Sequence, residues 1–283
     1  MKEIFFSMLK FKHTVIKNLQ FTIYNLQLIH TFVQFSIFNS QFPNRMIYQF
    51  LSDHKRKHLA LLIDPDKHTH DTLTAIAKRA EDCAVPCIFV GGSLIQSDLA
   101  QTVRTIKTYY TRPVILFPGS VNHVTPEVDA LLFLSLISGR NAEFLIGNQV
   151  IAAPLIKQAG IEVIPTGYML VEGGASTSVE YMSNTRPIPA AKTDIAVATA
   201  LAGEMLGMKL LYLEAGSGAL HSVPSAMIQA IKLHCSIPLI VGGGIRSVED
   251  LQRIFAAGAN IAVVGTSIEK TPELLSDMMQ SIR

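Results

Sequence analysis

The sequence predicts a closed (β/α)₈ barrel, the TIM-barrel fold, in residues 46–283, preceded by an N-terminal extension of different composition. Two observations carry this prediction. Eight short apolar runs alternate with helix-length segments, as expected for successive β/α units whose parallel strands are buried on both faces. Eight such units in about 238 residues favour a closed barrel over an open sheet.

Composition and charge limit the classes of protein to consider. The chain has 283 residues, of which 49% are hydrophobic and 16% charged, so it can bury a core and wholesale disorder is excluded. Three cysteines exclude a disulfide scaffold and indicate reduced packing residues, so a cytoplasmic location is expected. A formal net charge of +2 gives no general attraction to nucleic acid, and no such partner is expected.

Residues 1–45 differ from the remainder. They hold no glycine, eight of the 14 phenylalanines and a net charge of 5 − 1 = +4, which leaves 19 − 21 = −2 for residues 46–283. Interspersed Lys, Asn and Gln argue against a signal peptide and against a membrane span. Two interpretations remain: an amphipathic helix on a membrane surface, or translated upstream sequence ahead of a natural start at Met46. We favour the second and expect residues 1–45 to be disordered or loosely helical.

The predicted strands are runs of consecutive apolar residues: Leu59–Ile63, Cys87–Val90, Val114–Phe117, Leu131–Leu134, Glu162–Ile164, Leu210–Leu213, Leu239–Val241 and Ile261–Val264. The predicted helices are Thr69–Ala84, Ser97–Tyr109, Asn141–Ala159, Ile195–Leu206, Ser225–Leu233 and Ser247–Ala257. Glycine ends three of them, at Gly160, Gly207 and Gly258. Ser247, with Asp250 three residues later, forms a capping pattern.

Two connections depart from the repeat. The third helix is weak, because Val121–Asp129 contains a proline and offers at most two turns. The connection from Pro165 to about Lys192, after the fifth strand, is long and rich in Gly, Ser and Pro. Loops of this length are usually functional or mobile.

The C-terminal strand ends carry the candidate site, because functional residues of a barrel lie there. Glycine-rich segments follow strands six, seven and eight, at Gly216–Gly218, Gly242–Gly244 and Gly265. Without side chains, their backbone N–H groups can approach an anion, and the helix after Thr266 can point its N-terminus at the same place. One such segment could be a simple tight turn. Three successive ones predict a phosphate site.

Carboxylates and a hydroxyl follow the first two strands. Asp64 and Asp66 flank Pro65, and Ser93 follows the second strand. One or two carboxylates suit Mg²⁺, which otherwise keeps waters and phosphate oxygens as ligands. A turn with a helix cap is the alternative for this segment. Lys67 would neutralise a second phosphate or be a solvated surface lysine.

Glu214 ends an otherwise apolar strand beside the predicted phosphate site. Burial there would raise its pKa and suit it to act as a general base. Tyr212, two residues earlier on the same face, would hold a substrate hydroxyl. A paired structural Glu is the alternative. The histidines show no metal-type spacing, so none is given a catalytic role.

Several of these strings resemble one family. They are L-I-D-P-D-K (62–67), V-G-G-S (90–93), G-Y-M-L-V-E-G-G…S-N-T-R-P-I-P (167–189), Y-L-E-A-G-S-G (212–218) and V-G-G-G-I-R (241–246). In this order, over about residues 48–280, they resemble the geranylgeranylglyceryl phosphate synthase family, and more narrowly its archaeal-type group that also occurs in bacteria. The first 45 residues have no counterpart in that pattern, which supports the start at Met46.

The resemblance implies a Mg²⁺-dependent prenyltransferase that joins the 3-hydroxyl of sn-glycerol 1-phosphate to C1 of a polyprenyl diphosphate and releases pyrophosphate. Asp64 and Ser93 would be the metal ligands, and Glu214, with Tyr212, would act on the hydroxyl. The residues implied to hold glycerol phosphate are Tyr212, Leu213, Glu214, Ala215, Gly216, Ser217, Gly218, Gly243, Gly244, Gly265 and Thr266. A homo-oligomer and transient contact with a membrane surface are also expected.

The resemblance leaves one departure and one gap. Bacillus-type relatives carry a Lys two residues before the metal Asp, whereas this chain has Leu62, so Arg246 or Lys67 would supply that charge. The prenyl tail needs an apolar groove, for which Tyr168–Leu170 and Phe133–Ile137 are candidates. The alternative to a prenyltransferase is another phosphate-binding barrel enzyme, an isomerase or aldolase acting on a sugar phosphate, which would need a catalytic Lys or an Asp pair.

Overall fold

Eight parallel strands close into a barrel, in the order in which they occur along the chain, in a computed structural model that describes residues 47–282. The prediction of a closed (β/α)₈ barrel is confirmed. The expected disorder or loose helix of residues 1–45, and the start at Met46, lie outside the described residues and stay predictions.

The elements follow the predicted alternation. The strands are β1 His58–Ile63, β2 Cys87–Val90, β3 Val114–Leu116, β4 Ala130–Leu136, β5 Glu162–Leu170, β6 Leu210–Glu214, β7 Leu239–Gly242 and β8 Ile261–Val264. The α-helices are α1 Ile47–Leu51, α2 His70–Asp82, α3 Leu99–Tyr109, α4 Asn148–Ala159, α5 Ser178–Ser183, α6 Thr193–Met205, α7 Ser225–His234, α8 Val248–Ala256, α9 Thr266–Lys270 and α10 Leu274–Ser281.

Period-two alternation along each strand divides the core into two layers. In β1, Ala60 faces the barrel interior, whereas Leu59 and Leu61 face the helices. The strands pair in parallel all the way round, and β8 closes on β1 with His58 opposite Ile261. Because both faces are covered, consecutive apolar residues are buried, which is why the strands could be found as unbroken apolar runs.

The fifth strand is longer than predicted. It continues to Leu170, so the expected loop from Pro165 to Lys192 in fact contains most of strand β5 and the short helix α5. Pro165 and Gly167 both lie inside the strand. Gly167 is a close-packing position, because a Cβ there would lie 2.8 Å from Ile137 Cδ1.

The barrel wall is thin between β3 and β4, because its outer layer lacks a full α-helix there. Only a 3₁₀ turn, Val121–His123, occupies the place of a third helix, as the sequence predicted. Helix α4 packs against this turn, and it is preceded by a single π-helical turn, Glu143–Gly147, where an uninterrupted α-helix from Asn141 was expected. Such π turns inside helices are frequent at functional sites.

The predicted helix ends are confirmed. Gly160 takes the left-handed conformation after α4, with φ of 67°, and the Ser247 side chain accepts a hydrogen bond from Asp250 N at 3.2 Å. Within residues 47–282 there is no helix of the length and apolar character that crossing a bilayer requires.

Candidate active site

A cavity of about 1330 Å³ opens at the C-terminal ends of the strands. Its lining includes most of the residues predicted for the site: Asp64, Ser93, Tyr212, Glu214, Gly216, Ser217, Gly218, Gly243, Gly244, Gly265 and Thr266. The side chains of Leu213 and Ala215 do not reach it, because both are buried in the outer layer between sheet and helices. Any contact that these two make with a ligand must come from their backbone.

The glycine-rich edge is assembled from three strand ends that pack closely. Gly243 has φ of 83°, and a Cβ there would lie 2.6 Å from Gly216 N and 2.7 Å from Glu214 Oε1. Only glycine fits this position without displacing the loop after β6. The Ser217 and Thr266 hydroxyls lie 3.1 Å apart and hydrogen bond to each other, which joins that loop to the start of α9.

Glu214 lies next to this glycine-rich edge and has 6% of its surface exposed. Burial raises the pKa of its carboxyl to about 7, although the Gly216 N–H donates a hydrogen bond to Oε1 at 2.6 Å and opposes the shift. The raised pKa predicted from sequence is confirmed. A carboxyl that titrates near neutral pH can take up and release a proton under working conditions.

Three aromatic rings pack beside Glu214 inside the barrel. Tyr212 stacks on Phe117 with centroids 5.2 Å apart, and Tyr168 meets both rings edge-on. The Tyr212 hydroxyl is buried at the cavity beside the Glu214 carboxylate, whose pKa it lowers against the larger effect of burial. It can contact both that carboxylate and a ligand that enters the cavity.

Asp64 and Ser93 line the same part of the cavity, on neighbouring strand ends. Gly92 makes room for the Asp64 carboxylate, since a Cβ there would lie 3.0 Å from Asp64 Oδ1. That same oxygen accepts a hydrogen bond from Asp66 N, so the cap predicted as an alternative forms as well. One carboxylate and one hydroxyl fit Mg²⁺ that takes its other ligands from water and phosphate.

Asp66 has a different role from Asp64. Its carboxylate accepts hydrogen bonds from Gln96 N and Ser97 N, both at 2.9 Å, and so fixes the loop after β2 that carries Ser93. Arg246 likewise holds a loop, because its guanidinium donates to the carbonyl of Ala219. Lys67 lies between two carboxylates, those of Asp64 and Glu269.

An apolar groove continues from the cavity through the thin part of the wall. It is lined by inward and outward residues of β4, by the π-helical turn and by α4, namely Leu131, Phe133, Leu134, Leu136, Phe144, Ala152 and Ile156. The candidates Phe133 and Tyr168 line the cavity. Met169 and Leu170 do not, and both are buried in the core.

Sequence reasoning missed several cavity residues, of which Phe117, Gln149 and Glu269 illustrate the reasons. Phe117 ends the predicted third strand and could have been found by the strand-end rule. Gln149, with a buried side-chain oxygen that lacks a partner, lies in α4, and Glu269 lies in α9. Neither belongs to a motif, so nothing in the sequence alone marked them.

Comparison with known proteins supports the resemblance. The model of the PcrB family matches residues 52–283. The chain belongs to the PcrB family. Its curated relatives include the geranylgeranylglyceryl phosphate synthases of Spirosoma linguale, 49% identical over 82% of this chain and 95% of the relative, and of Pyrococcus horikoshii, 44% identical over 78% and 87%.

Solved structures of two relatives have the same barrel fold. The synthase from Thermoplasma acidophilum, in complex with its substrate sn-glycerol-1-phosphate, has a TM-score of 0.76 at 34% identity and covers 80% of this chain and 93% of its own. The enzyme from Thermoplasma volcanium has a TM-score of 0.79 at 36% identity, with coverage of 84% and 98%.

Proposed function

We propose that this chain transfers a prenyl group from a polyprenyl diphosphate to the 3-hydroxyl of sn-glycerol 1-phosphate, with Mg²⁺ bound at Asp64 and Ser93. One observation carries the proposal: a buried carboxyl, Glu214, lies where a glycine-rich, polar edge meets an apolar groove. A small phosphorylated acceptor and a long apolar donor need these two surfaces side by side. The curated relatives bear the name of this activity.

Glycerol phosphate is placed against the glycine-rich edge. Gly218, Gly243 and Gly244 have positive φ and line the cavity without side chains, whereas the N–H of Gly216 already donates to Glu214. Fixed N–H groups bind a phosphate without paying side-chain entropy. The Thermoplasma acidophilum relative was crystallised with this substrate, which supports the assignment.

Glu214 then accepts the proton of the acceptor hydroxyl. The oxygen forms a bond to C1 of the donor as the bond from C1 to the diphosphate breaks, and the electron pair of that bond leaves with pyrophosphate. A carboxyl with pKa near 7 is matched to this proton transfer at neutral pH. The Tyr212 hydroxyl, buried beside the Glu214 carboxylate, can orient the acceptor hydroxyl toward this base.

The residues at Asp64 and Ser93 fit Mg²⁺, which would neutralise the diphosphate and make it a better leaving group. Among the described residues there is no cluster of three or more His, Cys, Asp or Glu side chains that could hold a metal alone. A site with so few protein ligands is the kind that Mg²⁺ shares with substrate phosphates. Asp64 and Ser93 would therefore hold the ion beside the donor diphosphate.

The groove between β4 and α4 receives the prenyl tail. Its lining includes two phenylalanine rings, Phe133 of β4 and Phe144 of the π-helical turn before α4. Burying a tail there is favourable by about 0.8 kcal/mol for each CH₂ group. Length of the donor, a cytoplasmic location and assembly into oligomers stay predictions.

The test incubates the full chain with Mg²⁺, radiolabelled glycerol 1-phosphate and a panel of prenyl diphosphates of increasing length. We expect label to become extractable into organic solvent only when a donor is present. No extractable label with any donor would overturn the proposal. Turnover of a sugar phosphate without a prenyl donor would favour the isomerase or aldolase alternative.

A further inference from the structure

Lys67 sits between two carboxylates at the mouth of the cavity. Its Nζ lies 3.6 Å from Asp64 Oδ2 and 3.4 Å from Glu269 Oε2. Lys67 ends the turn after β1, and Glu269 belongs to α9 after β8. Because β1 and β8 are paired neighbours, the contact joins the metal side of the cavity to the helix that carries Thr266.

The charges of this trio do not balance. Two carboxylates surround one ammonium, which leaves one negative charge beside the position proposed for a divalent ion. The Lys67 side chain is 42% exposed, and ion pairs of such exposure contribute little to stability. The ammonium can therefore leave Asp64 at small cost. A divalent ion bound to Asp64 would repel it.

Glu269 determines where the displaced ammonium stays. Its side chain is only 17% exposed, and its Oε2 lies 3.4 Å from Lys67 Nζ. An ammonium held there remains at the cavity mouth, on a four-carbon stem that can turn toward a third anion. Among the described residues that line the cavity, the other cations are Arg246, which already donates to a backbone carbonyl, and Lys270.

We propose that Lys67 is the resident counter-ion of the metal site. It neutralises Asp64 before a divalent ion binds, and it contacts the diphosphate once the ion has taken its place, while Glu269 keeps it within reach. The second half of this inference rests on the proposed function, since it needs a diphosphate donor. The first half concerns only Lys67, Asp64, Glu269 and a divalent ion.

Metal binding by the full chain tests the first half. Mn²⁺ titrations without substrate, followed by electron paramagnetic resonance, should show about threefold tighter binding in Lys67→Met, because the competing ammonium is gone. Glu269→Gln should bind Mn²⁺ more weakly, because Lys67 then pairs with Asp64 alone. Lys270→Met removes a charge from the same cavity without touching Asp64 and should change Mn²⁺ affinity less than Lys67→Met. Unchanged or weaker Mn²⁺ binding in Lys67→Met would overturn the inference.

Pyrophosphate binding tests the second half. With Mg²⁺ saturating, calorimetry should show about tenfold weaker pyrophosphate binding in Lys67→Met and near-normal binding in Lys67→Arg. Glycerol phosphate affinity should change less than pyrophosphate affinity in Lys67→Met, and circular dichroism should match the unmodified chain. Loss of glycerol phosphate binding alone would assign Lys67 to the acceptor and overturn the diphosphate contact. Equal pyrophosphate affinity in Lys67→Met and the unmodified chain would refute the diphosphate contact. If the unmodified chain formed no prenylated product, the proposed function would fail while the Mn²⁺ result still decided the counter-ion role.

Discussion

The two sides of the cavity are built in opposite ways. The polar side, at the ends of β6 to β8, consists of backbone held by close contacts: Gly243 has no room for a methyl group, and the Ser217 and Thr266 hydroxyls join two loops. The apolar side, between β4 and α4, consists of side chains around a gap that no third helix fills. Substitutions that add atoms to the polar side should therefore disturb ligand binding, whereas the volume of the apolar side can change with its side chains.

The largest effect is expected at Glu214, where the two sides meet. Glu214→Gln keeps the shape and removes the base, so kcat should fall about 10²- to 10⁴-fold. Glycerol phosphate binding, measured by calorimetry, should be retained. Glu143→Gln changes an exposed carboxyl outside the cavity and serves as the control. Unchanged turnover in Glu214→Gln would contradict the base assignment.

The pH profile gives the next largest effect. Because the carboxyl must be deprotonated to accept a proton and its pKa is about 7, kcat/KM should rise about tenfold per pH unit below that value and level off above it. Titration of the substrate phosphate would affect every variant alike. The pH profile of the residual activity of Glu214→Gln should therefore lack the inflection near pH 7. A profile with the same inflection in both proteins would assign it to another group.

The polar side can be tested with a matched pair of glycines. Gly243→Ala introduces a methyl group 2.6 Å from Gly216 N, whereas Gly160→Ala, also at positive φ, meets nothing within 4 Å. Both should lose stability, by about 1 kcal/mol or more for the strained backbone. Only Gly243→Ala should raise the KM for glycerol phosphate, by about tenfold. Equal KM values in the two variants would mean that the close packing at Gly243 does not shape the glycerol phosphate site.

Substitutions on the apolar side should have a smaller effect, and that effect should appear in the dependence of kcat/KM on donor length. Ala152→Phe fills part of the groove and should lower kcat/KM for the longest donors about fivefold, with short donors little affected. Ala153→Phe places the same ring on the exposed neighbouring position of α4 and should change neither. Assays across a series of donor lengths check this. A uniform loss for all donors would mean that the groove does not hold the tail.

The polar side was predictable because its residues fall in short strings, each directly after a strand. Y-L-E-A-G-S-G holds the base and one of the three glycine-rich segments within seven residues, and strand burial accounts for the raised pKa of Glu214. Leu213 and Ala215 were included with that string. Period-two alternation would have placed them on the outer face, since Tyr212 and Glu214 face inward.

The apolar side was not predictable in the same way. It joins β4 to α4 across a connection of irregular backbone, and its polar member Gln149 is placed by a π-helical turn that no sequence pattern marked. The length of β5 was missed for a related reason. Gly167 serves close packing against Ile137, a tertiary contact that a single sequence does not display.

The thin wall between β3 and β4 has a consequence for how the reaction ends. The product of the proposed reaction is a detergent-like molecule, with a charged head at the strand ends and a tail in a groove whose lining includes both inward- and outward-facing residues of β4. We expect such an amphiphile to slide out tail first, without its head ever crossing an apolar layer. The rate of release then depends on an apolar phase outside the protein that can take up the hydrocarbon chain. Turnover should therefore be faster when micelles or vesicles are present.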